Sequence, residues 1–430
     1  FSKGGWRVTW KPYEYGTRML YTLLGAKPMR SLVGYFLCPR ILIGKFGLVI
    51  GLSIGAAMLE KKRAFIITDK AIRNLAESLI PYFEMVQFTV KICDKAVPEP
   101  PIPVVREIVE EMREFEPDLI VAVGGGSAID TAKAAWILYE RPDIDFSMVE
   151  ALTPLGLRKK AYLAAVPTTA GTGSEATQAF VLTDVSQTPP RKLAAQHPEC
   201  VPEFAILLPE LTVGMPPELT VGTGLDALAH AVDAYINRNW GSDLTDPMAL
   251  KAIELIIRYL PIVYKQPRNM NAREKMLIAA TMAGLAFGNA GTAITHALGH
   301  SFGKVFNIHH GRAVGMFIPY SLRFEAKVTD GYVGLAKWLN FSLDLDVVGK
   351  TKEKTLEKLT QFFKEFITGL GVPIAIKDLG ISRSEFEEKK EVLVKYAYED
   401  PTAIFSTRPA SIDDFRKLFD YAYEGKDVDW

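Results

Sequence analysis

The stretch DLIVAVGGGSAIDTAKAAW, residues 118–136, decides how the first half of the chain is read. LIVAV is a short uninterrupted apolar run, the composition of a strand buried on both faces. GGGS (124–127) breaks it, and AIDTAKAA follows with the alanine content of a helix. Glycines let the backbone approach an anion closely. The first turn of a helix adds N–H groups and the positive end of its dipole. A phosphate or pyrophosphate therefore fits at Gly125, Gly126 and Ser127. The spacing is not GxGxxG, so the common dinucleotide fingerprint is not met, and a plain turn is an equal alternative from these residues alone.

Outward from this stretch the pattern repeats. ILIG (41–44), AFIIT (64–68) and FTVKIC (88–93) are short runs rich in β-branched residues and read as strands. Asp69 follows the second and opens a predicted helix, KAIRNLAESLI. PEPPIP (98–103) is a loop before a helix with Val105, Ile108, Val109 and Met112 on one stripe. AYLAAVPTTAGTGSEAT (161–177) is a strand running into a Gly/Thr loop, and AFVLTD (179–184) reads as an edge strand. Strands separated by helices predict a Rossmann-like parallel sheet with both faces covered. Ligands of such sheets sit at the carboxyl ends of the strands. GGGS and the loop carrying Thr168, Thr169 and Thr172 occupy two such ends and can face one ligand. Asp69 stands at a third, where a carboxylate accepts both ribose hydroxyls of an adenosine and repels a 2′-phosphate. In isolation its better reading is a helix N-cap.

Past Pro209 the character changes. Helical patterns follow at 246–262, 272–287, 291–303, 315–326, 329–338, 351–369, 382–398 and 411–424, without β-branched runs. The expected organisation is an N-terminal arm (1–36), an α/β domain (37–212) and an all-α domain (213–430), the boundary falling near 209–216. The arm is aromatic and basic, with Glu14 its one acid, and reads better as a packing arm on a neighbouring subunit than as a nucleic-acid tail. The most apolar run, FGLVIGLSIGAAML (46–59), is too short to span a bilayer and reads as a strand end, a turn and a buried helix.

At 430 residues the chain is too long for one ordinary core, and 48% hydrophobic with 23% charged residues is a globular composition. Zero formal net charge gives no argument for nucleic acid. Cys38, Cys93 and Cys200 are odd in number with no CxxC spacing, which points to a reducing compartment. No secretory signal is evident, and a cytoplasmic location without membrane attachment is expected.

The strongest chemical signal lies in the second half. Of six histidines, five fall between Gly222 and Gly311. GTGLDALAHAVDAY places Asp226 and His230 four apart, and HALGHSFGKVFNIHHG does the same for His296 and His300 before His309 and His310. Residues i and i+4 share a helix face. Imidazole nitrogens with one carboxylate suit Fe(II) or Zn(II) and suit Mg or Ca poorly. Either pair alone is more often a hydrogen-bonded core feature, and the concentration of both in one window favours metal. HExxH is absent, which argues against a metalloprotease.

GGGSAIDTAK, PTTAGTGSEAT, TGLDALAHAVDAY, HALGHSFG and HHGRAVGMFIPY, in this order, resemble the iron-dependent (group III) alcohol dehydrogenases. The likeness runs from about residue 40 to the C-terminus, including DPTAIFSTRPASIDDFRKLFDYAYEG. It implies a dinucleotide-binding domain, a helical domain and a divalent metal in the cleft between them. Position by position, Asp226, His230, His296 and His310 match the family's metal ligands. His300 matches a histidine that helps relay the proton. Gly125, Gly126 and Ser127 match the pyrophosphate loop, Asp69 the ribose-reading acid, and Thr168, Thr169 and Lys192 further cofactor contacts. His309 and His197 match nothing with a role.

Two positions depart from the pattern: Leu208–Pro209 stands for the family's Asp-Pro, and Asp233 for a Glu three residues after the second ligand. Leu208 is expected near the nicotinamide pocket. The implied activity is reversible NAD-linked oxidation of a small primary alcohol, with NADP possible, by a homodimer or larger homo-oligomer. The rivals are a dehydroquinate-synthase-like lyase, disfavoured because Lys304 and Arg312 are the only cations near the ligands in sequence, and a non-enzymatic, metal-stabilised assembly protein.

Overall fold

The computed structural model describes residues 36–146, 149, 154–186 and 191–430; the expected arm lies outside them except for Phe36. The described residues form two compact units. Phe36–Ala231 with Lys251–Asn289 make the first, and Val232–Leu250 with Ala290–Trp430 the second.

The strands, all in the first unit, are β1 (Arg40–Ile43), β2 (Arg63–Asp69), β3 (Thr89–Ala96), β4 (Leu119–Gly124), β5 (Tyr162–Pro167), β6 (Ala179–Asp184), β7 (Arg191–Gln196) and β8 (Phe204–Leu207). Six of them form one parallel sheet in the order β1-β8-β5-β4-β2-β3. Its helices are α1 (Gly44–Met58), α2 (Arg73–Glu77), α3 (Ile80–Met85), α4 (Ile102–Phe115) and α5 (Gly126–Glu140). Alternation along the strands supplies two cores, because successive side chains point to opposite faces. Phe65, Ile67, Ile120, Ala122, Leu163 and Ala165 pack with Trp136 of α5 on one side. Ala64, Ile66, Val121, Val123, Ala164 and Val166 pack with Leu48 and Leu52 of α1 on the other. The expected parallel α/β sheet is therefore present.

Several local expectations are corrected. Residues 46–59 contain no strand end or turn: α1 begins directly after β1, and only one face of it is buried, since Phe46 is 79% exposed. AFVLTD is not an edge strand of the main sheet but pairs antiparallel with β7 in a separate ribbon. KAIRNLAESLI is not one helix. It breaks into a 3-10 turn (Lys70–Ile72), α2 and the start of α3, Pro81 falling in the first turn of α3 where its missing N–H costs nothing. β7 and β8 were not expected. β8 is a four-residue run whose partners, residues 40–43 and 164–165, are distant in sequence.

From Pro217 the described chain is helical: α6 (Pro217–Ile236), α7 (Thr245–Lys265), α8 (Met270–Ala290), α9 (Ile294–Phe306), α10 (His310–Glu325), α11 (Gly331–Leu343), α12 (Lys352–Gly369), α13 (Arg383–Glu399) and α14 (Ile412–Glu424). α10 starts five residues before the expected 315, so His310 is helical. In the second unit α9 and α10 cross closely at Gly299, where a Cβ would lie 2.6 Å from the Val314 Cα. Among the described residues no single helix is long and apolar enough to cross a membrane.

Candidate metal and cofactor centre

β4 ends at Gly124 and α5 begins at Gly126, with Gly125 between them in extended backbone and no side chain capping the helix. A Cβ on Gly125 would meet the Thr169 side chain at 3.2 Å, and one on Gly126 the Thr172 methyl at 2.8 Å. The glycine turn and the Thr loop thus lie against each other, and the Thr168 N–H donates to Gly124 O at 3.0 Å. An uncapped first turn beside threonine hydroxyls is a cradle that side chains on the glycines would fill. Its chemistry suits a pyrophosphate.

The Thr loop is held from behind by a backbone crossing. Gly173 sits at φ +60°, and a Cβ there would lie 2.6 Å from the Gly284 Cα of α8; a Cβ on Gly284 would lie 2.6 Å from Gly173 O. Only a glycine pair allows this approach. Gly284→Ala is expected to destabilise by about 1–3 kcal/mol through overpacking against backbone. Gly55→Ala, where nothing lies within 4 Å, should be neutral or stabilising by up to ~1 kcal/mol. Thermal denaturation of the two variants checks the contrast, which equal shifts would contradict.

Two expected cofactor residues are found in other bonds. Asp69 Oδ1 accepts from the Ala71 N–H at 2.7 Å, the N-cap alternative. Lys192 Nζ, on β7 of the ribbon, lies 2.7 Å from Oε1 of Glu99 in the loop before α4. Leu208 is buried in the α1-side core beside Leu211.

In the first unit Asp226 and His230 are buried on α6, their Oδ1 and Nε2 atoms 3.9 Å apart. The His230 ring stacks on Phe287, centroids 4.1 Å apart, which fixes its plane. α6 spans Pro217–Ile236 and also carries Asp233.

In the second unit Asp233 is a hub. Its Oδ2 lies 2.7 Å from His296 Nδ1 and accepts the Ala293 N–H at 2.8 Å, capping the start of α9, while its Oδ1 accepts from the Thr295 hydroxyl. A carboxylate on Nδ1 sets the tautomer that leaves the His296 Nε2 lone pair for a metal. The His296 and His310 ring centroids are 6.2 Å apart, and His300 stacks on His310 at 5.1 Å. His300 Nδ1 lies 2.8 Å from Asp400 Oδ2, and Asp400 Oδ1 accepts from the Thr402 N–H and hydroxyl. Burial pushes the Asp400 carboxyl up, but the His300 charge and hydrogen bond and the Thr402 donors outweigh it and hold it down at about 2.

Within the second unit, His296 with its Nδ1 held by Asp233, beside the His310 and His300 rings, offers imidazole donors of the kind that suit a first-row divalent metal. Asp400 was missed from sequence, although Asp-Pro-Thr at 400–402 carries the signal of a capped turn. His309 is the residue before α10. His197 is buried, with Nδ1 accepting the Glu199 N–H, and serves a turn.

Comparison with known proteins agrees with this chemistry. The family model described as iron-containing alcohol dehydrogenase matches residues 46–209, and that of the Fe-containing alcohol dehydrogenase family C-terminal region matches 220–423. The chain is 35% identical over 358 residues to an NADPH-dependent butanol dehydrogenase of Clostridium saccharobutylicum, covering 83% of this chain and 90% of that protein. It is 30% identical over 393 residues to an NAD-dependent methanol dehydrogenase of Bacillus methanolicus, covering 90% and 99%. A crystal structure of a 1,3-propanediol oxidoreductase superposes with a TM-score of 0.82 at 28% identity, covering 91% of this chain and all of that one. With both halves matched in register, the chain belongs to the iron-containing alcohol dehydrogenase family.

Proposed function

We propose that Asp226, His230, His296 and His310 hold the divalent metal of this NAD(P)-linked alcohol dehydrogenase, and that small primary alcohols and their aldehydes are its substrates. The observation that carries the assignment is the 2.7 Å contact of Asp233 with His296 Nδ1, the carboxylate–histidine pairing expected behind a metal ligand. When bound, the metal supplies a Lewis acid to the substrate oxygen and the nicotinamide a hydride acceptor. Gly125, Gly126 and Ser127 seat the pyrophosphate, Thr168, Thr169 and Lys192 supply further cofactor contacts, and Asp69 reads the ribose, Lys192 and Asp69 first leaving their contacts with Glu99 and the Ala71 N–H. The 2.8 Å contact of Asp400 Oδ2 with Nδ1 orients the His300 ring to take the alcohol proton and pass it to solvent.

The functional division is a cofactor domain (37–212) and a helical metal domain (213–430), with 1–36 as a packing arm in a cytoplasmic homo-oligomer. The lyase and assembly alternatives have no support from the family match. Asp69 favours NAD through repulsion of a 2′-phosphate. Elemental analysis of anaerobically purified protein, with an alcohol chain-length panel under NAD and NADP, tests these points. Iron or zinc near one per subunit and NAD reduction by short primary alcohols are expected. Metal-replete protein that oxidises none of them would sink the substrate assignment, and equal turnover with NADP would remove the role given to Asp69.

A further inference from the structure

Lys133 of α5 is fully buried, yet no carboxylate is its direct partner among the described contacts. Its ammonium donates instead to three carbonyls, those of Ser174, Thr177 and Ala179, each at 2.8 Å, with the Ser174 and Thr177 hydroxyls at 3.3 Å. The three carbonyls line the far limb of the Thr loop and the first residue of β6. α5, which carries the lysine, starts at the glycine turn. Asp130, one turn earlier on α5, completes the connection by accepting from the Ser174 hydroxyl at 2.7 Å and the Val181 N–H at 3.0 Å. The near limb of the same loop touches the glycine turn at Gly125–Thr169 and Gly126–Thr172.

We propose that Lys133 is a positioning residue for cofactor binding, its ammonium clamping the Thr168–Thr177 loop to the helix whose first turn seats the pyrophosphate. The proposal rests on the assignment of that turn given above. Three carbonyls take all three N–H bonds of an ammonium, whereas a neutral amine has two. Deprotonation therefore leaves one buried carbonyl unsatisfied and loosens the loop. Burial pushes the Lys133 pKa down to about 8, opposed by the carboxyl groups of Asp130 and Glu175; Cys200, the third titratable group that faces it, is pushed up to about 12 by burial and stays a neutral thiol in this range. The clamp is therefore complete below pH 8 and is lost as pH rises through it, an interval in which NAD itself does not titrate.

The experiment measures NAD dissociation constants of the full-length holoenzyme from pH 7 to 9.5 by titration calorimetry, with thermal melts as a check of folding. Wild type should weaken by about tenfold across the range, the loss of roughly one hydrogen bond. The rise should vanish in Lys133→Arg, whose guanidinium stays charged. In Lys133→Met binding should be weak at every pH. Affinity constant within twofold in wild type, a rise that persists in Lys133→Arg, or full affinity in folded Lys133→Met would each overturn the clamp. Because the methionine variant risks misfolding, the wild-type profile decides without it. Gly125→Val separates the two levels. If it leaves NAD affinity intact, the pyrophosphate assignment fails and takes the clamp with it. If it abolishes binding while the pH profile is flat, only the clamp fails.

Discussion

His296→Ala is expected to empty the proposed metal centre and to lower kcat/KM for a short alcohol by about three orders of magnitude or more. The size follows from a Lewis acid supplying several kcal/mol of charge stabilisation, each 1.36 kcal/mol being about tenfold in rate. Asp233→Asn should behave differently. The amide keeps the shape and one oxygen, but it no longer fixes His296 Nδ1 as donor and weakens the cap on Ala293, so a loss of about 10–100-fold in metal affinity is expected. The pair is read by metal per subunit and by kcat/KM at saturating metal. Added metal should restore most of the Asp233→Asn activity and none of the His296→Ala activity. An alanine variant that retained stoichiometric metal and activity within tenfold of wild type would refute the assignment of His296.

These expectations draw on a site that was partly legible in the chain. Asp226/His230 and His296/His300 announce themselves because i, i+4 spacing needs only a helix to place two donors on one face, and both helices are present. The carboxylates behind them were not read. Asp233 was noticed only as a departure from Glu, and its role depends on α9 starting where its Oδ2 can cap Ala293. Asp400 stands 100 residues beyond His300, a distance across which sequence spacing carries no geometry. The sheet shows the same division. LIVAV and AYLAAV are apolar enough to be strands anywhere, whereas the strand at 204–207 owes its state to tertiary pairing with 40–43 and 164–165. The run 46–59 misled because glycines in an apolar stretch suggest a turn. Gly47 and Gly51 are instead where α1 presses on Leu42, a Cβ on Gly51 falling 2.3 Å from the Leu42 Cδ1.

Glu325→Gln is expected to stabilise the protein above neutral pH and to change little near pH 5. Glu325 is buried on α10 with Oε2 accepting the Arg408 N–H at 2.8 Å. Burial is the main cause that pushes its carboxyl up, the charge of Asp233 adds to it, and the Arg408 amide and charge oppose it, leaving the group at about 8. The folded-state value lies above the ordinary one, so below pH 4.5 the group is protonated in both states and costs nothing. As pH rises from there to 8 the unfolded chain gains a charge that the folded protein refuses, and stability falls. At pH 7 the integrated penalty is on the order of 3 kcal/mol. A glutamine keeps an acceptor for Arg408 and never ionises, so the penalty disappears. Melting temperatures of wild type and variant at pH 5 and pH 8 give the answer: the variant's advantage should grow with pH, and an advantage equal at both values would show that Glu325 ionises in place.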